Sequence, residues 1–238
     1  MQDELRNLFY TLDGIEGTIG MPVYVEYKLR FYERREKEPA DYFEYLNDTL
    51  QRRYLDELIC KIAEIPRKDG DDARIAISLI QTIPYGTSPR FQGTGMRYPY
   101  EVIFDNCGIC GEKSLLLGLL LRELGYGVAL FEYVQDNHMT VGVKSPREYS
   151  YRETGYAFVE STGRSIVTDT ELHYRKCSCW GITHEKLKGT PKIICVSDGR
   201  ALDCYREFFD ARDWNKYAPN ADYFSDELRR RIAIRYGL

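Results

Sequence analysis

The longest apolar stretch of the chain runs Leu115-Leu-Leu-Gly-Leu-Leu-Leu121, six leucines in seven positions. A segment so uniformly apolar predicts a helix buried on nearly every side. It follows Cys107-Gly-Ile-Cys-Gly-Glu-Lys-Ser114 and leads into Arg-Glu-Leu-Gly125. The helix is predicted over about 110–124, entered through the glycines at 108 and 111 and stopped by a left-handed Gly125. Strand-like runs follow at 128–134, 138–144, 157–161 and 193–196, with Asp136-Asn137 turning the chain between the first two. Upstream, apolar residues at 43, 46, 50, 54, 55, 58, 59 and 62 recur at helical spacing behind an Asp41 cap, and Pro66 and Gly70 end the pattern. A second helix is predicted over 72–81. Residues 1–38 read as a short helix-like start, a strand-like run over 21–32 and a charged stretch from Glu33 to Glu38. The segment 84–99 carries three prolines and three glycines and is the longest loop candidate, a place where binding is often found. From Leu202 onward the pattern is helix, loop, helix, ending in the basic run 228–235.

Helices followed by an antiparallel sheet predict an α+β fold. Residues 71–200 read as its core, with 1–70 as an N-terminal mixed or helical extension and 201–238 as a C-terminal helical one. The 238 residues, 43% hydrophobic and 29% charged, are those of an ordinary globular chain. A net charge of -4 supplies no basic field and sets nucleic acid aside as a partner. No apolar run approaches the roughly 18 residues that span a bilayer, so no membrane association is expected. The start Met-Gln-Asp-Glu-Leu-Arg lacks the plan of a secretion signal, and the seven cysteines are not spaced as a disulfide scaffold. A reducing cytoplasm with free thiols is the simplest reading.

Candidate chemistry begins at Cys110. A thiol at a helix entry faces free backbone N–H groups and the positive end of the helix dipole, which favour the thiolate. His138 opens one predicted strand and Glu160 closes another. A nucleophile, a base and an orienting acid are what attack on an acyl carbon requires. Cys110 is therefore the candidate nucleophile, His138 the proton carrier and Glu160 the group that fixes the ring tautomer. His173 and His184 read as ordinary surface residues. The rival reading is a four-thiolate zinc site from Cys107, Cys110, Cys177 and Cys179, in which the second pair is spaced more tightly than zinc ligands usually are. That would make the chain a structural module without thiol chemistry.

Several stretches together resemble the transglutaminase-like branch of the papain-type thiol superfamily. They are Gln81-Thr-Ile-Pro-Tyr85, Tyr98-Pro-Tyr-Glu-Val-Ile103, Gly108-Ile-Cys-Gly-Glu-Lys-Ser-Leu-Leu-Leu117, Leu124-Gly-Tyr126, His138-Met-Thr-Val-Gly142 and Tyr156-Ala-Phe-Val-Glu-Ser-Thr162. The resemblance covers roughly residues 75–200. It implies a papain-like core in which the buried helix carrying Cys110 packs on the antiparallel sheet, with His138 as base and Glu160 as third member. Three positions depart from the family's pattern: Glu160 where aspartate is commoner, Ile109 before the cysteine, and Met139-Thr140 where an aromatic is frequent. The resemblance also implies an oxyanion donor, with the Cys110 backbone N–H first and the Gln81 or Asn106 amide as auxiliaries. The expected activity is a thiol hydrolase or acyltransferase on peptide or side-chain amides, peptidase-like rather than cross-linking, with a peptide or protein substrate and no cofactor or metal. The other reading on the same fold is a non-catalytic module that binds a peptide or protein.

Overall fold

Burial of the leucine-rich helix organises the molecule. The computed structural model describes residues 4–37, 41–86, 95–178, 181–216 and 223–238. The chain opens with an antiparallel hairpin, β1 (Glu4–Leu12) and β2 (Ile15–Val23), and then forms helices α1 (Val25–Lys37), α2 (Tyr42–Asn47), α3 (Thr49–Glu64), α4 (Asp71–Thr82) and α5 (Pro99–Asp105). The leucine helix is α6 (Cys110–Glu123). After it come β3 (Val128–Tyr133), β4 (His138–Lys144), β5 (Tyr156–Val159), a second hairpin of β6 (His173–Ser178) and β7 (Gly181–Lys186), then β8 (Lys192–Ser197) and helices α7 (Tyr205–Lys216) and α8 (Tyr223–Tyr236). The fold is α+β. Its main sheet has the order β5-β4-β3-β8, and every neighbouring pair is antiparallel.

Residues 111 to 121 of α6 are all buried, as the apolar run requires. One face of the sheet, through Val128, Leu130, Met139, Val141, Val143 and Val159, joins these leucines in a single cluster. That cluster also takes in Leu8, Phe31, Leu55 and Ile80, so the segment before residue 71 shares one core with the segment after it. The helix ends where expected. Gly125 sits at φ 88, its N–H reaches Arg122 O at 2.9 Å, and Tyr126 N–H reaches Leu121 O at 3.0 Å. These two bonds close a Schellman cap that a β-carbon would strain. At the other end Gly108 is required by space, because a β-carbon there would lie 2.9 Å from Lys113 Cγ and 3.1 Å from Val102.

The structure corrects the sequence reading in four places. The helix-like start is strand β1, and the strand-like run over 21–32 changes to helix after Val23. Alternation persists through that run, but helical geometry lets Lys28 and Phe31 turn inward together, with Lys28 in a buried ion pair with Asp105. The single helix predicted behind Asp41 breaks at Asp48, whose carboxylate caps α3 by accepting Gln51 N–H at 2.9 Å. The β6–β7 hairpin, polar and charged in sequence, was not expected. The loop candidate over 84–99 is not overturned: α5 begins only at its last residue, Pro99, and its residues 87–94 lie outside the described set. No described helix is long and apolar enough to cross a membrane.

Leu120 is 0% exposed at the centre of the packing. Leu120→Ala is expected to cost about 2–5 kcal/mol in urea denaturation. Leu5→Ala, at a residue 65% exposed on the outer face of β1, should stay within about 0.5 kcal/mol of the parent.

Candidate active site

The first residue of α6 is Cys110 and the first residue of β4 is His138. As first residue of the helix, Cys110 has a backbone N–H with no intrahelical carbonyl to bond. The helix start is fixed from behind by Glu112, which accepts the Ile109 N–H at 3.0 Å and holds the buried Arg97 guanidinium at 2.7 Å. Arg97 also reaches Asp105 at 2.9 Å, and Asp105 carries Lys28. These charges are all buried, so each needs its partner, and the network ties the entry of α6 to α5 and α1.

From the front, Ser114, one turn into α6, donates to Met139 O at 3.0 Å and lies 3.0 Å from Ser161 Oγ. That hydroxyl links the cysteine helix to the residue after His138 and to the residue after Glu160. His138 Nε2 lies 2.9 Å from Glu160 Oε2, and both side chains are buried. An ionised carboxylate only accepts, so Nε2 carries the proton and Nδ1 is left for the thiol. The other carboxylate oxygen of Glu160 accepts Ser161 N–H at 2.9 Å and both Thr162 N–H and Thr162 Oγ1–H at 2.7 Å. The extra methylene of glutamate thus lets the carboxylate fold back onto its own following turn while still holding the ring.

The electrostatics follow from this geometry. Burial works to raise the Glu160 carboxyl, but His138 and the Thr162 donors hold it below the usual range. Burial works to lower His138, but the Glu160 carboxylate and the Cys110 sulfur reverse this and raise the ring to about 9. Burial works to raise the Cys110 thiol, yet His138 and the Met139 N–H outweigh it and hold the thiol below its ordinary value. Nδ1 itself closes no hydrogen bond, an open geometry common in sites without bound substrate. The arrangement favours a thiolate beside an imidazolium.

The structure therefore brings Cys110, His138 and Glu160 together. Gln81 stands differently. Its two amide N–H groups are committed to Glu160 O at 2.9 Å and Ser165 Oγ at 3.0 Å, so none remains for an oxyanion. It braces the main chain of Glu160 instead. Asn106 takes the left-handed cap of α5 at φ 49, a role that explains an asparagine without chemistry. His173 and His184 are exposed. For the zinc reading, Cys179 and the side chain of Cys177 lie outside the described residues, and Cys107 Sγ lies 3.5 Å from the Arg97 guanidinium. Among the described residues no group of three or more His, Cys, Asp or Glu side chains is placed to hold a metal. Cys60, Cys107, Cys110, Cys195 and Cys204 are free thiols.

Two tertiary contacts near these residues escaped the sequence reading. Tyr174, from the unexpected β6–β7 hairpin, stacks on the His138 ring with centroids 3.9 Å apart. One tyrosine among 20 carries no positional signal of this. The second is a pair, Tyr42 and Glu132, whose hydroxyl and carboxylate meet at 2.7 Å. Ser114 had a signal available: a polar residue one turn from Cys110 on an otherwise apolar helix.

No model of a known protein family matches the chain, and no curated protein matches it. Among solved structures, the calcium-bound LapG of Legionella pneumophila is similar at 14% identity, over 74% of this chain and 98% of that one, with a TM-score of 0.29. A likeness that distant carries no functional weight.

The charge state of His138 is directly measurable. In an NMR pH titration its ring should keep its proton up to about 9, against an ordinary value of 6.5. In Glu160→Gln the midpoint should fall toward or below that ordinary value. A midpoint near 6.5 in both proteins would remove the ion pair.

Proposed function

We propose that the chain is a thiol hydrolase or acyltransferase that opens peptide or side-chain amide bonds through an acyl-enzyme at Cys110, with peptidase-like hydrolysis as the main outcome. The observation that supports this most is the position of His138, which is buried, held through Nε2 by an anchored carboxylate and turned with its other nitrogen free toward a thiol of lowered pKa. The motif order shared with the transglutaminase-like thiol family supports the same reading.

In this mechanism the Cys110 thiolate attacks the amide carbon, forming a carbon–sulfur bond and placing the negative charge on the carbonyl oxygen. The backbone N–H of Cys110 is the donor for that oxygen. The His138 imidazolium returns its proton to the leaving amine, and the carbon–nitrogen bond breaks to leave the thioester. Water, deprotonated by the now neutral ring, attacks the thioester; the acid leaves and the thiolate is restored. An amine in place of water would complete a transfer by the same path. Glu160 keeps the ring in one tautomer and offsets its charge through the cycle.

Cys110→Ala should abolish acylation of the chain by peptidyl electrophiles while leaving the unfolding midpoint near that of the parent, and intact-mass spectrometry of the parent should show one adduct, on Cys110. Glu160→Gln should lower turnover by about 10²–10⁴-fold. A Cys110→Ala protein that still acylates fully would leave only the reading of a binding module on this fold.

A further inference from the structure

Glu132 stands on β3 directly opposite Met139, the residue that follows His138 on β4. Its side chain projects to the same side of the sheet as Leu130 and Val128, the side on which α6 packs, because side chains alternate along a strand. Its partner Met139 accepts the Ser114 hydroxyl at 3.0 Å, one turn into α6, so Glu132 stands one strand over from the start of the helix that carries Cys110. One oxygen accepts the Tyr42 hydroxyl at 2.7 Å, so α2 fixes the carboxylate in place. The other oxygen faces Lys192 on β8 at 4.0 Å, beyond hydrogen-bond reach. Among the described residues no further hydrogen bond or ion pair reaches this carboxylate. Glu132 is a quarter exposed, at 25%, whereas its lysine is 69% exposed and free to swing away.

The Tyr42 bond accounts for one oxygen as a tie between α2 and β3, but stability does not account for the open one. A surface pair at 4.0 Å contributes little. Next to a nucleophilic thiolate it adds negative potential, which a catalytic site tolerates best where a cation is to be received. The sulfur is close enough to Tyr42 for its charge to help raise the phenol to about 12, after burial and Glu132.

We propose that Glu132, held by Tyr42, is the subsite for a cationic side chain, lysine or arginine, of the peptide that Cys110 attacks. The inference rests on the acyl-enzyme reading above and names its substrate class. Lys192 occupies the open oxygen loosely in the free protein and yields it to the substrate's ammonium or guanidinium. The thiol thereby meets basic peptides at higher local concentration than neutral or acidic ones.

The test uses the full chain and two small thiol reagents of similar size, cationic 2-aminoethyl methanethiosulfonate and neutral ethyl methanethiosulfonate. Each transfers its thioalkyl group to the Cys110 sulfur with release of methanesulfinate, and mass spectrometry of the Cys110 peptide reads the rate site by site. The ratio of cationic to neutral rates cancels changes in nucleophilicity of the sulfur itself. Glu132→Gln should lower that ratio by about three- to tenfold, the effect of removing one charge near the reacting sulfur at an interface with water. Lys192→Ala should raise it, and high salt should flatten both changes. A ratio unmoved in both variants, with Cys110 still the most reactive thiol, would overturn the subsite and leave the acyl-enzyme reading standing. If Cys110 reacts no faster than Cys60 with either reagent, both fall.

Discussion

The hydrogen bond between His138 and Glu160 is the contact on which the rest of the site depends. A histidine buried at the start of an inner strand would ordinarily be neutral, because burial disfavours the charged ring. Here a carboxylate 2.9 Å away reverses that preference. The carboxylate stays ionised in turn because the ring itself and the Thr162 donors on its far oxygen outweigh burial. Charge on the ring then lowers the thiol. Each group is held in a form that burial alone would forbid, and each is held there by the next.

Such a chain of dependence needs fixed distances, and the fold supplies them from two directions. The leucines of α6 pack on the sheet with no exposed side, so the helix cannot tilt without opening the core. Its first turn is clamped by the Arg97–Glu112 pair behind and by Ser114 in front. Gln81 fixes the main chain at Glu160, and Tyr174 covers the face of the imidazole. The candidate residues are few, but those that locate them come from α4, the segment before α5, α6, β4 and β6.

How far all this could be read from the sequence depended on whether a residue's role was local. The leucine helix and its Gly125 stop were legible because uniform apolarity and a left-handed cap are properties of short segments. The order of thiol, imidazole and acid was legible because Cys110 and His138 open predicted elements and Glu160 lies on a third. The first hairpin should have been legible. Asp13-Gly14, at φ 50 and 82, is the pairing a tight hairpin turn demands, but the stronger strand-like alternation lies over 21–32. The change from strand to helix after Val23 was not legible, since it follows from Lys28 finding Asp105, 77 residues away. The contacts of Tyr174 with His138 and of Tyr42 with Glu132 belong to the same class: each exists only once distant segments meet. Gln81 shows the converse, a residue of the right type in a promising motif whose donors are committed to the scaffold.

The central claim is that Cys110 is an activated thiolate because of His138. Its most direct measure is the rate of alkylation of Cys110 by iodoacetamide as a function of pH, in the parent and in His138→Ala, with Cys60 as an internal reference thiol. Cys110 in the parent should remain reactive well below the value near 8.5 at which an ordinary thiol ionises, and in the variant its profile should shift to that value or above it, as burial without the ring would dictate. A profile that coincides with that of Cys60 in the parent, or that His138→Ala leaves in place, would contradict the account.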